Sequence, residues 1–381
     1  MNPIVDEMTS FLVMDVLDKA HNMQSQGIDV VHLEVGEPDF DVPDAVRKAA
    51  VASYDEHRTH YTHSLGDAAL RQAIADLYRR EYQVQVDPEC ILVTSGSSPA
   101  ILLVMLLLCS SGSEIILSNP GYACYRNFVL AAHGTPVFVP ISAEEGFQYR
   151  VEDIRSRITD RTAGIFVNSP MNPTGTLLSP SFFEQLAKLP IPVISDEIYH
   201  GLVYEGRAHS ILEYTSNAFV LNGFSKRFAM TGLRLGYVIA PKQYMPALRK
   251  MGQNFLICAP STIQRTGIAA LSDTSDYAAR MCATYNERRH YMLQRLRQMG
   301  FVIHTDPVGA FYIFADARRF TDNSLQFAFD VLEHAHVGIT PGVDFGSEGE
   351  GFIRFSYANS MERMREGLDR LEAYLRQIGK L

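Results

Sequence analysis

The sequence predicts an α/β fold, with a large domain on a mostly parallel β-sheet flanked by helices and a smaller α+β domain. Short β-rich runs alternate with helical patterns through the middle of the chain, which is typical of parallel sheets. In the C-terminal third the pattern changes, and long helical segments flank two strand-like runs. The length of 381 residues is enough for two domains with substantial cores.

Seven runs are predicted to be strands of the large sheet, because each is short, rich in β-branched or aromatic residues and followed by turn-forming residues. In chain order they are "ECILVTSG", "EIILSNP", "TPVFVPI", "TAGIFVNSP", "IPVISDEIY", "AFVLNGFSK" and "LGYVIAP". An apolar helix from Pro99 is predicted after the first run, and "YACYRNFVLAAHG" and "VEDIRSRI" are predicted helices after the second and third. Helices in these connections place strands parallel to one another.

The C-terminal third is predicted to hold the smaller α+β domain. Its helices are "YNERRHYMLQRLRQMG" and the closing segment "SMERMREGLDRLEAYLRQIG". The basic residues from Asn286 onward are interpreted as one charged face of an amphipathic helix.

Composition argues against several classes of protein. The net charge of −9 disfavours nucleic acid as the main partner. The longest apolar run, "AILLVMLLLC" at 100–109, has about half the length of a membrane span, so a buried helix is predicted there. The N-terminal stretch has acidic residues where a secretory leader is basic. Five widely spaced cysteines without a CxxC pair suggest reduced thiols. We therefore expect a soluble, cytoplasmic protein.

Polar side chains follow several predicted strands at the point where each strand ends. Asp196 follows "PVIS", Asn172 follows "FVNSPM", Ser97 and Ser98 follow "LVTSG", and Lys226 follows "VLNGFS". Ligands of parallel sheets bind at the carboxyl ends of the strands. We expect these groups to converge on one edge of the sheet and form a site.

Lys226 lies in the segment "GFSKRFAMTGLRLG" at 223–236. A lysine amine can form a Schiff base with an aldehyde, and its pKa falls when it is desolvated. A lone lysine is most often a solvated surface residue. Here Arg234 offers a fork for a phosphate, and Gly223 and Gly232 allow close backbone approach.

This segment resembles the pyridoxal-phosphate attachment signature of class I and II aminotransferases. The resemblance extends along the chain, in the family's order and approximate spacing, through "LEVGEPDF", "YTHSLGDAALRQAIA", "NSPMNPTG", "SDEIY" and "FIRFSYA". It implies the aspartate-aminotransferase-like fold type I, with a seven-stranded sheet between helices. The resemblance also implies a large domain at 48–285 and a small domain that combines 1–47 with 286–381.

The resemblance implies a role for each matching residue. Lys226 would form the Schiff base with the cofactor and act as general base and acid, and Asp196 would pair with the pyridine nitrogen. Asn172 and Tyr199 would hydrogen-bond the ring oxygen, and Tyr122 would stack on the ring. The phosphate would be held by Gly96, Ser97, Ser98, Ser225, Arg234 and, across a homodimer interface, Tyr61 of the neighbouring subunit. Arg354 would bind the substrate carboxylate, next to Gly36.

Interpretations that give these motifs a purely structural role remain open. Asp196 alone fits a helix N-cap, and "SSPA" fits an N-cap with proline at the first helical position. Asn172 in "NPTG" is also typical of a turn. For His57, His60 and His63 a solvated or packed loop is favoured, since no carboxylate or cysteine partner is evident, and we expect no metal site.

The resemblance therefore predicts a pyridoxal-phosphate-dependent aminotransferase of amino acid metabolism. It would move the amino group of an L-amino acid to a 2-oxo acid by a ping-pong mechanism. The alternatives are a C–S β-lyase or a cyclopropane-forming synthase on the same fold, and a binding protein that has lost catalysis. The apolar stretch "NFLICAP" at 254–260 is interpreted as a hint of neutral or aromatic substrates.

Overall fold

The computed structural model describes residues 3–381. The strands are β1 (Val31–His32), β2 (Ile91–Thr94), β3 (Glu114–Asn119), β4 (Thr135–Pro140), β5 (Thr162–Asn168), β6 (Val193–Asp196), β7 (Ala218–Gly223), β8 (Gly236–Ile239), β9 (Tyr312–Asp316), β10 (Val337–Gly338), β11 (Thr340–Pro341) and β12 (Phe352–Ser356).

The α-helices lie before, between and after these strands. They are α1 (Pro3–Glu7), α2 (Leu12–Ser25), α3 (Asp44–Asp55), α4 (Ala68–Tyr82), α5 (Ser97–Leu108), α6 (Cys124–Ala131), α7 (Val151–Arg155), α8 (Pro180–Leu186), α9 (Met245–Phe255), α10 (Ser261–Ser272), α11 (Tyr277–Gln298), α12 (Ser324–Ala335) and α13 (Met361–Gln377). Single turns of 3₁₀ helix cover Pro88–Cys90, Ile211–Glu213, Lys242–Tyr244, Gly342–Phe345 and Ser347–Gly349.

The large sheet has the strand order β2-β8-β7-β6-β5-β3-β4. Neighbouring strands from β7 to β4 run parallel, whereas β8 is antiparallel to both β2 and β7. The α/β prediction of a mostly parallel, seven-stranded sheet is confirmed, and each of the seven predicted runs contains one strand. β6 and β8 are buried at every residue, as expected for strands covered on both faces.

The apolar run at 100–109 lies almost entirely in α5, which begins at Ser97 rather than at the predicted Pro99. Its side chains at Ala100, Leu103 and Val104 are at most 2% exposed. A helix that is apolar on all sides is stable only when it is surrounded by protein, and α5 packs against strands of the large sheet and against α9. No helix among residues 3–381 is long and apolar enough to cross a membrane.

The C-terminal third contains more strands than the two predicted runs. β9, β12 and the two-residue β11 form an antiparallel sheet, and the two-residue β10 pairs in parallel with β1. These strands pack with α11, α12 and α13 around an apolar core. The division of the chain into 48–285 and into 1–47 with 286–381 stays a prediction.

The interpretation of the basic residues after Asn286 as one charged face of an amphipathic helix is wrong for two of them, which are buried. Arg289 is only 1% exposed, and its guanidinium donates to the Pro307 carbonyl oxygen at 2.6 Å and to Glu205. Arg288 is also buried and donates to Asp39 Oδ1 at 2.7 Å. Burial is possible because each guanidinium has hydrogen-bond acceptors within reach.

One close backbone approach positions the edge of the functional site. The first residue of β8, Gly236, lies against Gly96 and Ser97 at the start of α5. A Cβ atom added to Gly236 would lie 2.5 Å from the Gly96 carbonyl carbon and 2.6 Å from the Ser97 nitrogen. Only glycine leaves room for this contact, because the neighbouring atoms belong to the backbone and cannot rotate away.

Gly236→Ala should therefore lower the free energy of unfolding by at least ~2 kcal/mol, because it overpacks a rigid contact. Gly232→Ala is the matched control, since a Cβ at Gly232 meets nothing within 4 Å, and its effect should stay below about 0.5 kcal/mol. Urea denaturation of both variants measures the difference. Equal destabilisation by the two substitutions would contradict this account of the contact.

Candidate active site

A cavity of about 400 Å³ lies at the carboxyl ends of β5, β6 and β7. Most of the site residues predicted from the sequence line it: Gly36, Ser97, Ser98, Tyr122, Asn172, Asp196, Tyr199, Ser225, Lys226, Arg234 and Arg354. Gly96 lies directly behind the Arg234 guanidinium. Tyr61 does not line the cavity. Residues from distant parts of the sequence thus meet at one sheet edge.

Lys226 lies three residues beyond the end of β7 and projects its amine into the cavity. Its Nζ donates a hydrogen bond to the Gly36 carbonyl oxygen at 2.6 Å. Burial lowers the pKa of Lys226 to about 8, a shift that the nearby Arg354 and Arg234 reinforce and Glu37 and Asp196 oppose. A larger fraction of this amine than of an ordinary lysine is therefore uncharged near neutral pH.

Asp196 is the last residue of β6 and is 4% exposed. Its carboxylate accepts hydrogen bonds from the Tyr125 hydroxyl at 2.7 Å and from the Ile198 nitrogen at 3.1 Å. Burial raises the pKa of Asp196 to about 6, although both hydrogen bonds and the Lys226 charge oppose the shift. The carboxyl group is therefore mostly ionised at pH 7, and a cationic group in the cavity would pair with it.

Arg354 lines the cavity and connects it to three chain segments. Its Nη1 donates to Asn172 Oδ1 at 3.0 Å, and its Nη2 donates to the Glu34 carbonyl oxygen at 2.5 Å and to Thr340 Oγ1 at 3.1 Å. The guanidinium lies over the Tyr312 ring at 4.3 Å. Its Nε is buried and has no hydrogen-bond partner among residues 3–381. A buried donor without a partner is a candidate ligand contact.

The other end of the cavity is suited to an anion. Arg234 has a left-handed backbone (φ 56°) and donates from Nη1 to the Thr231 carbonyl oxygen at 2.8 Å. A side chain at Gly96 would collide with its guanidinium. Gly96 is the N-cap of α5 and offers no side-chain cap, so backbone N–H groups at this helix start are available to an anion. The suggestion that a serine caps this helix with proline at the first position is wrong.

The sequence reasoning missed two tyrosines that shape the cavity. Tyr125 holds Asp196 and lies three residues after Tyr122, so helical spacing in "GYACYR" was an available signal. The Tyr312 hydroxyl forms a hydrogen bond with the Tyr199 hydroxyl at 2.8 Å. A side chain at Gly36 would collide with the Tyr312 hydroxyl. Nothing local marks Tyr312. Only the pairing of β9 with β12, which places it near Arg354, reveals it.

Tyr61 and the stretch 254–260, both singled out from the sequence, lie outside the cavity of their own chain. Tyr61 is 80% exposed, so within one chain it contacts nothing in the site. The stretch 254–260 also does not line the cavity, and Phe255 and Ile257 are 63% and 50% exposed. The apolar residues that line the cavity instead come mainly from the first turns of α2 and its N-cap Phe11, which the sequence reasoning did not single out.

The residues fit pyridoxal phosphate in their chemistry. An amine, a buried carboxylate and an anion cradle surround a cavity of a size usual for a small cofactor. Lys226 and Asp196 are close enough to perturb one another's pKa, and Arg234 acts on the same lysine. This donor set matches an aldehyde, a ring nitrogen and a phosphate.

Comparison with known proteins supports the same conclusion. The family model for aminotransferase class I and II matches residues 28–371. A (5-formylfuran-3-yl)methyl phosphate transaminase of Methanocaldococcus jannaschii is 38% identical over 371 residues, 96% of this chain and 97% of that protein. An aspartate aminotransferase of Pyrococcus abyssi is 35% identical over 360 residues, 92% of each chain.

The fold agrees with a solved structure of Thermus thermophilus aspartate aminotransferase with maleate. The TM-score is 0.94 at 33% identity, and the match covers 98% of this chain and 99% of the other. Because the family model and these relatives cover nearly its full length, the chain belongs to the class I and II aminotransferases, pyridoxal-phosphate-dependent enzymes of the aspartate aminotransferase type.

Proposed function

We propose that the protein moves the amino group of an L-amino acid to a 2-oxo acid in two half-reactions, with ping-pong kinetics, and that Lys226 holds the cofactor covalently. The observation that carries this proposal is the position of the Lys226 amine, which shares one cavity with the buried Asp196 carboxylate and the Arg354 guanidinium. The pKa of Lys226, lowered to about 8, makes this amine a usable nucleophile and base.

Pyridoxal phosphate, when bound, supplies an aldehyde and an electron-withdrawing pyridine ring. Lys226 would hold the cofactor aldehyde through Nζ, and the same amine, when free, would take a proton from the substrate Cα. Asp196 would hold a proton on the ring nitrogen. Its buried carboxylate stays fixed by the Tyr125 hydroxyl, so it needs no reorganisation during the reaction.

The remaining assignments concern binding. Asn172 and Tyr199 would hydrogen-bond the ring oxygen, and Tyr122 would stack on the ring. Ser97, Ser98, Ser225 and Arg234, which line the cavity, would hold the phosphate, and Gly96 leaves space for Arg234. Arg354 receives the substrate carboxylate beside Gly36, and its buried Nε supplies an unused donor for that contact. Lysine could not present the same two-pronged fork.

The proposed enzyme is a cytoplasmic homodimer with shared sites. Tyr61 reaches the phosphate of the neighbouring subunit, which accounts for a tyrosine that is 80% exposed in one chain. Its segment is held to the start of α10 by a hydrogen bond from Ser261 Oγ to the Arg58 carbonyl oxygen at 2.7 Å. Val51 and Tyr54 on α3 are also exposed apolar side chains, of the kind that a subunit interface covers.

Lys226→Ala should abolish transamination and prevent borohydride from fixing cofactor to the protein, while Lys242→Ala, at an exposed position, should leave both unchanged. Peptide mapping after reduction of the wild type should find the label on Lys226. Label on another lysine would overturn the assignment.

The pH dependence of cofactor attachment tests the amine's environment. The neutral amine is the nucleophile, so the attachment rate of apoenzyme should rise about tenfold per pH unit at low pH and level off above the Lys226 pKa of about 8. Stopped-flow absorbance measures this rate. A profile that rises to the ordinary lysine value of 10.5 would contradict the lowered pKa.

Asp196→Asn should reduce kcat by at least ~100-fold, since an amide cannot hold the proton on the ring nitrogen as a carboxylate does. Tyr125→Phe is the matched control, because it removes one hydrogen bond from Asp196 but keeps the charge, and it should cost less than ~10-fold. Steady-state kinetics at saturating cofactor compare the two. If kcat of the Asp196→Asn variant stays within about tenfold of the wild-type value, Asp196 has another role.

Mixing the inactive Lys226→Ala and Tyr61→Ala proteins tests the shared site. A hybrid dimer has one site that is wild type at both positions and one site with both lesions. Recovery should reach up to about a quarter of wild-type activity, because half of the dimers are hybrids and each has one intact site. No recovery, with subunit exchange proved by native mass spectrometry, would mean that each chain builds its site alone.

A further inference from the structure

The cavity has an apolar wall formed by the N-terminal segment of the chain. Phe11, Val13, Met14 and Leu17, from α2 and its N-cap, all line the cavity. Ile101 from α5 also lines it. None of these side chains carries a hydrogen-bonding group, so this "α2 wall" offers dispersion contacts and excludes water.

No cation in the described part of the cavity is free for a second carboxylate. The positively charged residues that line it are Lys226, Arg234 and Arg354, and the proposed function assigns each to the cofactor or to the substrate α-carboxylate. The lining acids are Asp196 and Glu37, and Glu37 accepts a hydrogen bond from Thr231. Within one chain, a side-chain carboxylate against the α2 wall would lose hydration without gaining a partner.

The α2 wall is fixed relative to Arg354 through one short segment of chain. The buried Asp344 carboxylate accepts hydrogen bonds from the Leu12 nitrogen at 2.9 Å and from the Val13 nitrogen at 3.3 Å. Four residues earlier, Thr340 accepts a hydrogen bond from Arg354 Nη2 at 3.1 Å. The segment 340–344 therefore contacts both Arg354, the residue proposed for the α-carboxylate, and the start of α2.

A second contact stabilises the position of the wall. The Phe11 ring packs edge-on against the Tyr122 ring, with ring centroids 5.8 Å apart and an interplanar angle of 89°. Such aromatic pairs have a preferred geometry. The start of α2 is thus held by a buried carboxylate on one side and by an aromatic contact on the other.

We infer that the α2 wall is the subsite for the side chain of the amino donor, and that it selects uncharged apolar or aromatic side chains over acidic ones. Asp344 is the positioning residue that sets the distance from this wall to Arg354. The inference rests on the proposed function, because it takes Arg354 as the α-carboxylate site.

Binding of unreactive acids tests the subsite without turnover. 4-Methylpentanoate and pentanedioate correspond to leucine and glutamate without the amino group. Isothermal titration of cofactor-loaded enzyme should give a dissociation constant at least ~10-fold lower for 4-methylpentanoate. Equal or tighter binding of pentanedioate would overturn the inference and would mean that a cation, such as one from the second subunit, faces this position.

A donor panel separates this inference from the proposed function. Leucine and phenylalanine should exceed aspartate and glutamate in kcat/KM by at least ~10-fold with the same oxo-acid acceptor. Faster transamination of aspartate would overturn the subsite and leave transamination intact. Absence of transamination with every donor, with 4-methylpentanoate still bound in preference to pentanedioate, would overturn the proposed reaction and support the subsite.

Met14→Arg places a cation on the α2 wall at a side chain that is 44% exposed and tolerates replacement. It should raise the ratio of aspartate to leucine kcat/KM by ~10-fold or more. Asn22→Arg adds the same charge to an exposed position of α2 outside the cavity and should leave the ratio unchanged. An equal shift in both variants, or no shift in Met14→Arg, would overturn the assignment of the wall.

Asp344→Asn tests positioning, since it keeps the size of the side chain but weakens one of the two backbone contacts. It should raise KM for leucine ~5-fold or more with a smaller change in kcat, and leave the dissociation constant of the cofactor unchanged. A uniform loss of kcat and cofactor affinity would indicate a purely structural role and would overturn the positioning assignment.

Discussion

The buried guanidinium of Arg354 is the interaction on which much of the architecture depends. An arginine that is only 2% exposed is tolerated when acceptors surround it. Those acceptors are Asn172 in the loop after β5, the Glu34 carbonyl oxygen just after β1, and Thr340 in β11. The short strands β1, β10 and β11 make sense in this light, because each carries or braces a partner of the guanidinium. The residue proposed to bind the substrate carboxylate thereby also connects separate segments of the chain.

Desolvation acts with opposite sign on the two central ionisable groups. Burial lowers the pKa of the Lys226 amine and raises the pKa of the Asp196 carboxyl, because in each case it disfavours the charged form. Both pKa values move toward neutrality, to about 8 and about 6. One physical cause therefore gives an amine and a carboxyl group whose protonation responds to charge brought into the cavity.

The sequence predicts the large sheet well, because each of its strands is a compact β-rich run between turn residues. The direction of β8 was not predictable, since a local pattern does not encode the strand's neighbours. β10 and β11 have two residues each, too few to show any periodicity. Arg288 and Arg289 look like surface residues until their acceptors are brought close by the fold.

The site residues divide in the same way, into those with a local sequence motif and those that only the fold brings together. Lys226, Asp196 and Arg354 lie in dense local motifs and could be found from residue types and order. Tyr312, Asp344 and the α2 wall have no local motif, because their roles arise only from contacts between distant segments.

The pairing of β2 with β8, and of β1 with β10, has a consequence for how the chain folds during synthesis. Residues 91–94 meet their strand partner only when 236–239 have left the ribosome, and residues 31–32 wait for 337–338. Until then the apolar faces of α5 and the early strands lack part of their cover. Such long-range pairing slows folding and leaves nascent chains exposed to aggregation. The interleaved strand order that brings the cavity residues together therefore leaves apolar surface uncovered until most of the chain has been made.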